Sequence, residues 1–345
     1  MAEPAPVFVL TGFLGSGKTT LLRRFLRSPA GLGTGIVVNE FGETGVDHRL
    51  LVHATERIEL LDGGCLCCTR RADIAQAMQT LVRRFRREGG FQRAVIETSG
   101  MADPTPIIAT LVRDPWLRSH LLLRQVVAVV DAVAGPTNLL QHPEARRQVA
   151  VADMIVVTKT DLRAATLLPT LIRTLRDIAP DVPILDSGDP AFDPAALLDG
   201  TARRPPASLF KADDAPHSAG VGSFTLALPA PIDWPCFTLW LSALLHAHGD
   251  RILRVKGVLR TSSSSRPLVI HGVQHVMHPP THLPADDGGP AFLVFITRGL
   301  ERDTIAHSLK VFLAMGTADQ PSMPPASSAW PTRSTAASLK GAPIT

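Results

Sequence analysis

A chain of 345 residues, 45% hydrophobic and 19% charged, can bury the cores of about two domains and is neither disordered nor fibrous. Its formal net charge of +4 pulls only weakly on anionic partners. The arginine run "VRRFRRE" has the helical spacing of a solvated face, so nucleic acid is not an expected partner.

No stretch reaches the roughly 18 apolar residues of a membrane span, so no membrane partner is expected. The apolar opening "VFVLTGFLG" lacks a basic flank and a cleavage site and reads as a buried strand. The four cysteines are therefore expected as free thiols in a reducing cytoplasm.

In chain order, "VFVLTG", "GIVVNE", "RAVIETSG", "QVVAVVDA" and "DMIVVTKTD" read as strands apolar on both faces, which belong in a parallel sheet covered by helices. Amphipathic stretches such as "KTTLLRRFLR", "ADIAQAMQTLVRRFRR" and "LLPTLIRTLRDIA" lie between them, so the expected fold class is α/β, doubly wound. This first domain is expected over 1–200. The Pro- and Ala-rich stretch 201–222 reads as a linker. Over 223–316 the pattern predicts a smaller α+β domain, a four-stranded and mainly antiparallel sheet with two helices on one face. The Ser-, Pro- and Ala-rich tail 317–345 is expected to lack fixed structure.

The chemistry begins at "GFLGSGKTT". Gly12, Gly17, Lys18 and Thr19 fit the phosphate-binding P-loop pattern, after an apolar strand and opening a helical pattern. The loop's N–H groups and the helix N-terminus cradle phosphate oxygens. Lys18 supplies a point charge to the β- and γ-phosphates, and the Thr19 hydroxyl is a Mg²⁺ ligand. In "AVIETSG", Glu97 ends a strand where a carboxylate holds the Mg²⁺ shell, and Gly100 approaches the γ-phosphate.

The next strand-end motif is "VVTKTD". Asp161 is placed to accept from guanine N1–H and N2–H and would repel adenine, which favours GTP over ATP. The Lys159 stem covers the base, and Thr158 takes the slot where Asn normally donates. Ser187–Asp189, "SGD", is a candidate base-contacting loop.

"DGGCLCC" places Cys65, Cys67 and Cys68 behind two glycines, between the P-loop and the Glu97 strand. C-x-C-C can present two or three thiolates to one soft cation and leave a coordination position open, which suits transfer rather than structural retention. Arg70 and Arg71 favour the thiolates. Buried core thiols and a redox pair are the alternatives. In "VVNEFGETGVD", Glu40, Glu43 and Asp47 sit where a nucleotide-sensing switch would follow the first helix. One of them could position water or Mg²⁺ and another complete the metal site, or all could be plain surface carboxylates. Among His271, His275 and His278, strand alternation puts the first two on one face and His278 on the other. A second metal site and structural or interface histidines are both open.

Together "GFLGSGKTT", "NEFGE", "GCLCC", "ETSG" and "TKTD" resemble the CobW-type family of metal-handling P-loop GTPases. "SFTLALPAPID", "RILRVKGVL", "GVQHVMHPP" and "RGLERDTI" resemble that family's C-terminal domain. The resemblance implies zinc, or a similar divalent metal such as cobalt, at Cys65, Cys67 and Cys68. It implies GTP on Gly15, Ser16, Gly17, Lys18, Thr19 and Thr20, with hydrolysis coupled to delivery of the metal to a client apoprotein. On this reading Glu40 and Glu43 move toward the γ-phosphate, and Glu43 is also a candidate metal ligand. Two rivals remain: a non-enzymatic, nucleotide-responsive metal sensor and a P-loop phosphotransferase. Homodimerisation is left open.

Overall fold

Strand β1 (Ala5–Thr11) is apolar on both faces, with Val7, Phe8, Val9 and Leu10 all buried, and it occupies the middle of a seven-stranded sheet. The computed structural model describes residues 3–38, 58–60, 71–88, 92–162, 168–198, 221–229, 231–283 and 289–318. The first unit contains α1 (Lys18–Leu26), β2 (Thr34–Val38), β3 (Ile58–Leu60), α2 (Arg71–Glu88), β4 (Arg93–Glu97), α3 (Thr105–Arg113) and α4 (Pro115–His120). It continues with β5 (Leu121–Asp131), α5 (Gly135–Gln141), α6 (Pro143–Ala150), β6 (Met154–Thr158), α7 (Leu168–Ile178) and β7 (Ile184–Asp186).

The strand order is β3-β2-β4-β1-β5-β6-β7, and every pairing is parallel. A parallel sheet needs both faces covered. Phe8, Leu10, Val127 and Val129 pack against the apolar stripe of α1, Leu21, Leu22, Phe25 and Leu26. Alternate residues point the other way. There Val7, Val9 and Ile96 meet α2 to α4, while Ala128, Val130, Ile155 and Val157 meet α5 to α7. The doubly wound α/β expectation holds. Because β4 lies between β1 and β2, the loops after β1 and β4 leave the same sheet edge side by side, where such folds bind ligands.

The second unit contains β8 (Val221–Ala227), α8 (Trp234–His248), β9 (Ile252–Leu259), β10 (Leu268–Val273), β11 (Val276–Met277), β12 (Thr281–His282), β13 (Phe292–Arg298) and α9 (Arg302–Ala318). Its antiparallel sheet runs β11-β10-β9-β13-β8, with β12 added beside β10. That makes six strands rather than the four expected, because β11 and β12 are two-residue strands that sequence alternation does not reveal. α8 and α9 cover one face, where Phe237, Trp240 and Leu241 meet Phe224 and Phe295. The other face lies on the first unit: Val273 joins Val126 and Val151, and Val221, Leu253 and Ile296 join the cluster beneath α5 to α7.

Candidate functional site

The loop 12–17 joins β1 to α1. Gly12 (φ +147°), Gly15 (φ +70°) and Gly17 (φ +93°) all have positive φ. A Cβ on Gly12 would overlap the Val129 carbonyl oxygen, so this position requires glycine sterically as well as conformationally. Lys18 is buried and folds over its own loop, its Nζ donating to Gly12 O at 2.8 Å and Phe13 O at 3.2 Å. Thr19 Oγ1 donates to Glu97 Oε1 at 2.6 Å, while Thr20 is exposed. The β1–β4 register, Leu10 opposite Glu97, sets this meeting. It is reinforced by Thr98 N donating to Leu10 O at 3.0 Å and the Thr98 hydroxyl donating to Thr11 Oγ1 at 3.0 Å. A hydroxyl and a carboxylate this close offer two oxygen ligands to a hard divalent cation.

Gly100 presses on the loop so closely that an added Cβ would stand 2.7 Å from Leu14 N and Cα. Ser16 is buried, and its Oγ has no hydrogen-bond partner among the described residues.

At the neighbouring strand ends, Thr158 Oγ1 donates to Ser16 O at 2.7 Å. Its proton is thereby spent on the loop. Lys159 (φ +58°) donates through Nζ to Gly15 O at 2.8 Å and to Asp131 Oδ2 at 2.6 Å. Asp131 ends β5 and was not singled out in the sequence, although it ends an apolar strand just as Glu97 does. Burial pulls its carboxyl upward, but the Lys159 bond and the Val133 and Ala134 N–H groups outweigh that and hold it below the usual carboxylate range. Asp161 is exposed. The Ser187–Asp189 loop lies beside this group: Thr160 Oγ1 donates to Asp186 Oδ1 at 2.8 Å, and the Gly188 N–H donates to the same oxygen at 2.7 Å.

Glu40, Glu43, Asp47, Cys65, Cys67, Cys68 and Arg70 lie outside the described residues, as does the side chain of Arg71. Their connections are described. β2 ends at Val38, in register with Glu97, and β3 ends at Leu60 beside Val38. Both motif-bearing segments therefore start at the edge that carries the phosphate loop. Among the described residues no cluster of His, Cys, Asp and Glu could hold a metal ion.

The histidines follow a different pattern from simple alternation. β10 and β11 form a hairpin, Val273 opposite Val276, turning at Gln274 (φ +50°). The His278 N–H donates to His271 O at 2.8 Å, and the two rings stack with centroids 4.5 Å apart. His275 turns away, its Nδ1 2.7 Å from Leu245 O. The expected pairing of His271 with His275 is thus corrected, because the turn resets the strand parity.

His271 and His278 join a half-buried cluster between the two units, in which Arg254 and Asp181 are buried. Asp153 Oδ1 is 2.7 Å from Lys256 Nζ, 3.4 Å from Arg254 Nη2 and 3.5 Å from His271 Nε2. Arg254 also reaches Asp181 Oδ2 at 3.3 Å.

Comparison with known proteins gives two family matches. Residues 6–186 match the CobW/HypB/UreG nucleotide-binding domain, and residues 221–313 match the cobalamin synthesis protein cobW C-terminal domain. The chain is 33% identical over 313 residues to the zinc chaperone YjiA of Escherichia coli, covering 88% of this chain and 97% of that protein. It is 30% identical over 354 residues to the zinc chaperone CobW of Pseudomonas aeruginosa, covering 90% and 92%. The crystal structure of Zn(II)-bound YjiA GTPase superposes with a TM-score of 0.67 at 25% identity, over 90% of this chain and 99% of that one.

Proposed function

The chain belongs to the CobW family, and from that premise we propose that it is a GTP-hydrolysing metallochaperone that loads zinc on Cys65, Cys67 and Cys68 and passes it to a client apoprotein. The observation that carries the reading is the meeting of Thr19 and Glu97 at 2.6 Å, with both motif-bearing segments starting at the same sheet edge.

The triphosphate lies on the N–H groups of Gly15 to Thr20. Lys18 exchanges the carbonyls of Gly12 and Phe13 for β- and γ-phosphate oxygens, an electrostatic rather than covalent contribution. Thr19 and Glu97 fit Mg²⁺, which when bound neutralises charge developing on the phosphates. Asp161 reads the guanine edge and the Lys159 stem covers the base. Thr158 serves the loop rather than the base, since its hydroxyl donates to Ser16 O. Glu40 and Glu43 approach the γ-phosphate from the segment after β2, and Glu43 completes the thiolate site. Hydrolysis releases that segment and loosens the metal. Metal and nucleotide are then reciprocally linked, with a coupling of about 1–3 kcal/mol.

The test measures GTP turnover and bound zinc for the wild type and Cys67→Ser, with and without Zn²⁺ and the client. The expected result is slow GTP turnover that responds to zinc, with about one zinc fewer per chain in the variant. Unchanged zinc stoichiometry overturns the cysteine assignment, and a preference for ATP overturns that of Asp161. Full zinc response without hydrolysis favours the sensor, and a phosphorylated small-molecule product favours the phosphotransferase.

A further inference from the structure

α6 contains a side chain that the nucleotide motifs do not account for. Gln148 is 1% exposed, and its Nε2 donates to Gly100 O at 3.1 Å and to Ala102 O at 3.0 Å. Both amide hydrogens therefore hold the turn that follows Glu97. The residue before it, Arg147, stands 3.7 Å from Asp103 at the far end of that turn. On the opposite side Gly100 bears on Leu14 of the phosphate loop.

Gly100 is thus clamped between two elements, its carbonyl held by Gln148 and its Cα bearing on Leu14, and α6 is itself tied to the loop by His142, whose ring stacks on Phe13 at 4.5 Å. Gln148 Oε1 has no hydrogen-bond partner among the described residues. Gln148 also lines a cavity beneath the loop, together with Gly12, Ser16, Asp131 and Asn138. A buried amide with an unmet oxygen costs stability that an apolar side chain of the same length would not. The residue is therefore explained better by where it puts Gly100 than by what it adds to the core.

Resting on the GTPase reading above, we infer that Gln148 is a positioning residue for the hydrolytic step: by holding the Gly100 and Ala102 carbonyls it fixes the turn, and with it the place from which Gly100 approaches the γ-phosphate. On that reading Gly100 serves the terminal phosphate, which GDP lacks, so the clamp distinguishes GTP from GDP, and a side chain supporting only the fold would not.

The experiment compares wild type, Gln148→Met and Gln148→Glu in the full chain. It measures kcat for GTP and affinities for GDP and for a GTP analogue with a β,γ-imido bridge. Gln148→Met keeps the length and removes both donors. It is expected to lower kcat about 100-fold, as a misplaced reacting group does. Analogue binding should weaken about 10-fold, one lost hydrogen bond's worth, while GDP affinity stays within about twofold. Gln148→Glu offers one donor when protonated, so its turnover should recover toward wild type as pH falls.

Equal loss for GDP and the analogue, unchanged turnover, or loss of fold in both variants overturns the inference. A wild-type chain that does not hydrolyse GTP overturns the GTPase reading with it. Wild-type hydrolysis matched by Gln148→Met overturns this assignment alone.

Discussion

Lys159 is held in a left-handed conformation with its ammonium shared between Gly15 O and a buried carboxylate, Asp131. Positive φ in a non-glycine residue persists only where neighbours enforce it, and Asp131 is that neighbour. Asp131→Asn keeps the shape and removes the charge. Losing a charge-assisted bond should weaken GDP and the imido analogue alike, by about 10-fold, as titration calorimetry would read. The even loss separates this residue from Gln148, whose removal should spare GDP. Neither residue was legible beforehand. Asp131 ends an apolar strand as Glu97 does, but no spacing rule marks it. Gln148 looks like any polar helix residue until the turn after Glu97 is seen folded against it.

Elements were readable in proportion to how much of their own pattern they carried. β1, β2, β4, β5 and β6 are apolar on both faces, and that pattern alone places them in a parallel sheet. β3 and β7 have three residues each, too few to show a period. They exist because a neighbouring strand offers them its edge. α3 to α6 each have a proline in the first turn, so in sequence their starts look like turns. Proline there replaces an N–H that has no helical partner anyway. The β10–β11 hairpin was hidden for the opposite reason, since "VIHGVQHVMH" alternates well enough to pass as one strand. Gln274 takes a left-handed conformation there, which Asn tolerates better and a β-branched residue hardly at all. Gln274→Asn should therefore stabilise the chain by about 0.5 kcal/mol and Gln274→Val destabilise it by about 1–2 kcal/mol, read as shifts in the urea midpoint.

At the scale of the whole molecule the two units are joined by apolar contacts around a neutral-histidine and ion-pair cluster. Asp153 and Asp181 come from the first unit, and Arg254, Lys256, His271 and His278 from the second. Burial alone would raise the Asp153 carboxyl, yet the Lys256 and Arg254 charges and the Lys256 hydrogen bond hold it far below the carboxylate range. Burial lowers both histidines, His278 to about 4 and His271 well below its ordinary value, with Asp153 opposing the shift and Lys256 and Arg254 adding to it. A base depressed in the native state takes up protons preferentially when the units separate or unfold. The stability it permits is complete above its unfolded value, near 6.5, and is lost as pH falls toward the native value. For His278 that loss amounts to at most about 3 kcal/mol by pH 4. Asp153 begins to lose its contribution only below about pH 4, so the histidines govern the window from 6.5 to 4. Calorimetric melting of the full chain from pH 7.5 to 4.5 should show stability falling through that window, and His278→Gln should flatten the slope by about 1.4 kcal/mol per pH unit. An unchanged slope in the variant would mean that His278 is hydrated or already charged where it stacks on His271.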